Sequence, residues 1–245
     1  MHRFFINKEN INGKKIIIKG EDVRHIANVL RLRTGDKAVL CDGEGKDYTV
    51  SIINIDKNSV ITEILNIEKS VGEIDLDITI YQGMPKSTKM DLVIQKCTEL
   101  GANKVVPIAS ERTVVKLISK NDEIRKINRW QKVAAEAAKQ SNRGKVPNIC
   151  MPMSFENAVK DSLNKDLTLI PYEGEKITSL KEILSNEKPK NIGIFIGPEG
   201  GFADKEVQLA IDNKAKTVTL GKRILRTETA ALMTLSCILY EYNQF

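Results

Sequence analysis

The chain has few of the residues that build metal centres and covalent staples. Its four cysteines, Cys41, Cys97, Cys150 and Cys237, form no C-x-x-C pair, and its two histidines, His2 and His25, stand far apart. Such spacing suggests neither a zinc cluster nor a disulfide framework, and a reducing compartment is expected. Long apolar runs are also missing. A spanning helix needs about 18 consecutive apolar residues, a run that occurs nowhere, and the apolar start Phe4-Phe5-Ile6 is too short for a signal peptide. A soluble, cytoplasmic protein is the expectation. Internal repeats and low-complexity tracts are absent too.

What is present is length and an uneven charge. The 245 residues suffice for one large domain or two modest ones, and a folded chain of this size buries roughly 70% or more of its unfolded surface. Net charge is +6, yet residues 84–145 alone hold 14 basic and 6 acidic side chains. A polyanionic partner fits this concentration, because each neutralised phosphate releases counterions; a solvated lysine-rich helix surface fits it as well.

The pattern changes near residue 72. Before it, short strands at 15–19, 37–41, 48–55 and 60–65 surround one helix at 21–30. After the polar stretch 66–73, apolar runs at 77–82, 104–109, 167–170, 192–196 and 217–220 alternate with helical patterns. Those helices include residues around 92–100, a long one at 122–142 with an alanine-rich centre, 203–211 and 227–240. Alternation of this kind predicts an α/β domain with a parallel sheet. Domains are therefore expected at 1–72 and 73–245. The helix at 227–240 is apolar on most faces and should lie in a core or an interface.

Two loops carry the chemistry. The strand pattern Ile192-Gly193-Ile194-Phe195-Ile196 runs into Gly197-Pro198-Glu199-Gly200-Gly201-Phe202. Glycines at a strand end let backbone approach a ligand at the carboxyl edge of the sheet. A Walker loop would need Lys-Ser or Lys-Thr where Phe202-Ala203 stands, and G-x-G-x-x-G is absent, so phosphate cradling is disfavoured and a plain structural turn stays open. Leu220-Gly221-Lys222-Arg223-Ile224-Leu225-Arg226-Thr227-Glu228-Thr229-Ala230 repeats the arrangement after another strand. Two such loops side by side could enclose an adenosine-sized ligand.

Together these segments resemble the RsmE family of SPOUT methyltransferases, which methylate N3 of a uridine in 16S ribosomal RNA of the bacterial small subunit. Further motifs match in order: Glu21-Asp22-Val23-Arg24-His25 with residues 29–36, Lys86-Ser87-Thr88-Lys89-Met90-Asp91 with 94–101, Glu111-Arg112-Thr113-Val114-Val115, and Arg129-Trp130-Gln131-Lys132 with 136–143. The resemblance covers nearly the whole chain. It departs at Ala203, where relatives often have serine, and at Lys222, where they often have proline.

The resemblance implies a small PUA-like barrel followed by a trefoil-knotted α/β domain, a homodimer, and S-adenosylmethionine as cofactor. It places the cofactor against Pro171, Tyr172 and Glu173, against Ile196, Gly197, Pro198, Glu199, Gly200 and Gly201, and against Leu220, Gly221, Ile224, Leu225, Arg226, Thr227 and Ala230. Adenine is expected against Leu220, Ile224 and Leu225, although core packing would equally explain Ile224 and Leu225. Uracil N3 carries a proton at neutral pH, so Arg226 is expected to stabilise the developing negative charge. Glu228 is the second catalytic candidate; Glu228 or Glu199 would act as base or order the loop. Expected RNA contacts are Arg3, Arg24, His25, Arg31, Arg33, Lys86, Lys89, Arg112 and Arg143, an expectation that belongs to the set, since each taken singly reads as ordinary surface charge. Arg24 and Arg31, seven apart, would share a helix face if the helix reached that far. Trp130 is expected in a core or dimer contact rather than in base stacking. The alternatives are a non-catalytic RNA-binding assembly factor and a related knotted methyltransferase acting on transfer RNA.

Overall fold

The computed structural model describes residues 1–86, 89–114 and 119–244. Ser87, Thr88 and Val115, members of two of the motifs above, lie outside the described residues. The chain forms two compact units, one of Met1–Glu73 with Ala138–Val146, the other of Ile74–Ala137 with Pro147 onward.

In the first unit alternating apolar residues build the strands β1 (His2–Phe5), β2 (Ile11–Asn12), β3 (Lys15–Lys19), β4 (Lys37–Cys41), β5 (Lys46–Ile55) and β6 (Ser59–Lys69). They form one sheet in the order β1-β4-β5-β6-β3-β2, antiparallel except for β1 on β4. Period-two burial puts Ile16, Ile18, Leu40, Val50, Ile52 and Val60 on one face. The β5–β6 register shifts twice, skipping Leu65 of β6 and Ile53 of β5, irregularities of the kind that increase local twist. Helix α1 (Glu21–Arg24) continues into a π-helical turn, His25–Val29, and adds Val23 and Ile26 to the core.

That helix ends early. Arg31 adopts φ 54, outside the helical region, so Arg24 and Arg31 do not share a helix face. Ala138–Val146, expected in the second domain, belongs to the first unit for an electrostatic reason. Arg143 is 1% exposed and pairs with Glu73 at 2.9 Å, and the same carboxylate accepts from the amides of Gly144 and Lys145. Arg3 donates to the Arg143 carbonyl at 3.1 Å and to Asp47 at 2.6 Å.

The second unit alternates β7 (Asp77–Gly83), α2 (Lys89–Glu99), β8 (Lys104–Ala109), α3 (Lys120–Gln140), β9 (Asn148–Ile149), β10 (Met153–Ser154) and α4 (Phe155–Ser162). It continues with β11 (Leu167–Pro171), α5 (Leu180–Asn186), β12 (Asn191–Ile196), α6 (Asp204–Asp212), β13 (Lys216–Val218) and α7 (Thr227–Glu241). The sheet is wholly parallel, ordered β10-β8-β7-β12-β11-β13 with β9 beside β8. Its central strands are buried along almost their whole length, as expected where helices cover both faces. Tyr81 stacks on Phe195 at 4.5 Å, and Phe155 bridges Phe195 and Phe202.

Helix α7 packs Ala231, Thr234, Leu235, Ile238 and Leu239 inward and lies against α2 and α5. Leu232, Met233 and Cys237 on its other side are half-buried, and Tyr240 is exposed. Trp130 on α3 is buried, its Nε1 donating to Asp91 at 2.9 Å, which makes it a packing residue. Among the described residues no helix is long and apolar enough to cross a membrane, and no cluster could hold a metal ion.

Candidate functional site

Strands β7, β12, β11 and β13 are neighbours, and all four release their loops at one edge of the sheet. The chain adds strands on one side from β7 to β8 and on the other for β12, β11 and β13, so the edge carries a topological switch point, where α/β sheets hold ligands. A cavity of about 320 Å³ opens there, within the usual range for a small-molecule site. Pro171, Tyr172 and Glu173 form one wall, Ile196, Gly197, Pro198, Glu199 and Gly201 a second, and Leu220, Gly221, Ile224, Leu225, Arg226, Thr227 and Ala230 a third. Of the residues expected to meet a cofactor, only Gly200 stands off the wall; its carbonyl instead accepts from Arg112 at 3.0 Å.

Local chemistry explains the loop shapes. Gly201 has φ +68 and donates its amide to the Pro198 carbonyl at 2.9 Å, closing a tight turn that an L side chain would strain. Phe202, next along, plugs into the aromatic cluster and anchors the turn. A Cβ on Gly83 would stand 2.5 Å from Pro198 Cδ, so the end of β7 can approach the loop only as glycine. Behind the loop, buried Glu206 accepts from the amides of Ala203 at 2.9 Å and Glu111 at 2.8 Å. This supplies half of a capping box where Ala203 brings no hydroxyl. Tyr172 donates to Asp204 at 2.8 Å, a bond that together with burial raises its phenol pKa.

Charge is distributed unevenly around the cavity. Arg226 is exposed on the wall and makes no ion pair among the described residues. Ile224 is 86% exposed, which rules out the core packing that the sequence left open. Lys89 also lines the cavity and lies 3.1 Å from Glu199 and 3.9 Å from Glu228. Burial pushes the Glu199 carboxyl up, but hydrogen bonds from its own backbone, from Lys89 and from the Lys86 amide bring it below the usual range, which makes it a poor proton acceptor. Glu228 is not on the cavity wall, and its Oε2 is buried without a hydrogen-bond partner among the described residues. Glu199 is thus engaged by cation and amide, whereas Glu228 lies behind the wall within 3.9 Å of Lys89. Lys222 of the second loop lines the cavity as well, and so do Thr219 and Lys176, which nothing in the sequence spacing marks.

A family model described as the RNA methyltransferase domain matches residues 72–239, and one described as the RNA methyltransferase PUA domain matches residues 18–65. The ribosomal RNA small subunit methyltransferase E of Bacillus subtilis is 35% identical, over 98% of this chain and 97% of the relative. The chain belongs to the ribosomal RNA small subunit methyltransferase E family. Among solved structures, the methyltransferase E of Neisseria gonorrhoeae bound to S-adenosyl methionine is 31% identical, with TM-score 0.84 over 98% of this chain and 97% of that one. A methyltransferase of Legionella pneumophila in complex with the same cofactor is 30% identical, with TM-score 0.85 over 97% and 96%.

The cations expected to meet RNA divide into three groups. Arg24, His25, Arg31 and Arg33 are exposed on the first unit, the His25 ring edge-on to Phe4. Lys86, Lys89 and Arg112 gather on the glycine loop of the second, through Glu199 and the Gly200 carbonyl. Arg3 and Arg143 must be withdrawn. Both guanidinium groups are buried against carboxylates, with side-chain exposures of 11% and 1%, and neither can reach a phosphate. Much of the basic stretch at 84–145 is likewise engaged in ion pairs, Lys96 with Glu99, Lys104 with Asp161, Arg125 with Asp122, Arg129 with Asp91 and Lys139 with Asp22.

Proposed function

We propose that the protein methylates N3 of a uridine in 16S ribosomal RNA of the small subunit, using S-adenosylmethionine. The observation that carries this reading is the single cavity in which both strand-end loops meet, in a chain whose solved relatives hold that cofactor. Leu220, Leu225 and the exposed Ile224 offer an apolar surface for adenine, and glycine backbone at 197, 201 and 221 allows close approach. Bound S-adenosylmethionine would supply an electrophilic methyl group on its sulfonium.

The remaining work falls to the chain. N3 must give its proton to water or to Glu228, the second catalytic candidate, as the S–CH₃ bond breaks and the N3–CH₃ bond forms, and negative charge appears on the uracil oxygens. Arg226, exposed on the wall and in no ion pair among the described residues, would stabilise that charge. Arg24, His25, Arg31 and Arg33, with Lys86, Lys89 and Arg112, grip the RNA backbone. The same reading includes a knotted chain path, cytoplasmic action on the ribosomal subunit, and a homodimer formed through the half-buried face of α7 with Tyr240. Sedimentation that found only monomer at micromolar concentration would contradict the dimer.

Incubation with methyl-labelled S-adenosylmethionine and small ribosomal subunits tests the reaction. Label is expected in the RNA, and Arg226→Ala is expected to lower kcat by about 10²- to 10³-fold, as for loss of one charge-stabilising donor. A normal rate in that variant would remove Arg226 from the mechanism. No label in subunits or free ribosomal RNA would sink the reading itself.

A further inference from the structure

Gln82 does not line the cavity, yet it is bonded to the pieces that do. It is the penultimate residue of β7 and is fully buried. Its Nε2 donates to the Gly83 carbonyl at 2.9 Å and to Thr227 Oγ1 at 2.8 Å. The Thr227 hydroxyl in turn donates to the Gly197 carbonyl at 2.6 Å. The direction of this relay is fixed, because only the amide nitrogen can face the Gly83 carbonyl; an oxygen there would meet another acceptor.

The two ends of the relay matter. Gly197 begins the glycine loop, and Thr227 begins α7 immediately after Arg226. The sequence separates them by thirty residues, and the hydrogen bond joins the second wall of the cavity to the third. Gly83, the partner of the same amide, touches Pro198 of that loop as well. Holding a glutamine here is unfavourable in one respect, since its Oε1 is buried with no hydrogen-bond partner among the described residues. A buried polar atom left unpaired destabilises a fold, and methionine would fill a similar space without that defect. What methionine lacks is the donor.

We propose that Gln82 is a positioning residue that locks Thr227 onto Gly197, so that the glycine loop and the segment carrying Arg226 keep one spacing. This rests on reading the cavity as the S-adenosylmethionine site. The two loops then bind as one unit, with methyl donor and guanidinium held in register, and loosening either end of the relay loosens both.

Four variants test it: Gln82→Met, Thr227→Val, the double variant, and Thr227→Ser, which keeps the hydroxyl. Hydrogen exchange in the ligand-free protein reads the loops directly, with β5 and β6 as a control for folding. Gln82→Met and Thr227→Val should each speed exchange at both residues 197–202 and residues 220–226. Each should also weaken S-adenosylmethionine binding by roughly tenfold in calorimetric titration, the weight of one or two hydrogen bonds. The double variant should be no worse than either single one, because the relay is already broken, and Thr227→Ser should stay near the parent. Additive losses in the double variant, or exchange that rises in one loop only, would overturn the proposal. Should Gln82→Met fail to fold, the near-isosteric Thr227→Val carries the same comparison of the two loops. If the parent protein does not bind S-adenosylmethionine, the cofactor reading fails while the exchange data still decide the role of Gln82.

Discussion

Arg143 stands against Glu73 with both side chains almost wholly buried, and the carboxylate takes two backbone amides besides. Removing one partner of such a pair leaves a charge in a low-dielectric interior, which typically costs about 3–5 kcal/mol. Arg143→Met should therefore destabilise the first unit by roughly that amount in chemical denaturation. Adding Glu73→Gln should recover part of the loss, and a change below about 1 kcal/mol would mean that the pair is weakly coupled to the fold. The same residue shows why single side chains are hard to read from a sequence. Arginine suits phosphate and carboxylate alike, and the two outcomes differ only in whether a carboxylate waits within reach after folding. Glu73 lies 70 positions away, as Asp47 lies 44 from Arg3, so nothing local could separate Arg143 and Arg3 from Arg24 or Arg33. Gln82 is the converse case, an unremarkable residue inside a strand whose position becomes informative only when Thr227 and Gly197 are brought to it.

Elements were more legible than side chains, because burial imposes a period. The continuous apolar runs of β7, β8 and β12 and the alternation in β3 and β4 locate those strands to within a residue or so. Two short helices escaped, although both carry a start signal. Ser154 accepts from the Asn157 amide at the start of α4, and Ser179 from the Glu182 amide at the start of α5, the latter in a Ser-x-x-Glu sequence. At eight and seven residues they are too short for a periodicity to emerge. Helix α6 lacks the same device, since Ala203 occupies its N-cap with extended backbone and only the Glu206 side chain reaches back. Ala203→Ser should supply the missing acceptor and stabilise the protein by about 0.5–2 kcal/mol in thermal denaturation. A destabilisation would show that the buried cap has no room for a hydroxyl.

At the scale of the whole molecule, the site exists because four parallel strands end together. Residues 171–173, 196–199 with 201, and 219–227 with 230 are far apart in the chain and become one wall system through the order β7-β12-β11-β13. The two glycine-bearing loops pointed to this edge from the sequence as a pair, since either one alone reads equally as a structural turn. Their partners Lys176 and Thr219 did not, since a lysine or threonine at a loop is ordinary. Family membership then gives the cavity its chemistry, and Arg226, exposed on the wall and in no ion pair among the described residues, is the charged group proposed for its reaction centre. The most direct measurement of that account is a mass-spectrometric map of methylated nucleotides in 16S ribosomal RNA from cells with and without the gene. The account predicts that one N3-methyluridine disappears without the gene, returns with the parent protein, and stays absent or scarce with Arg226→Ala; an unchanged map would contradict it.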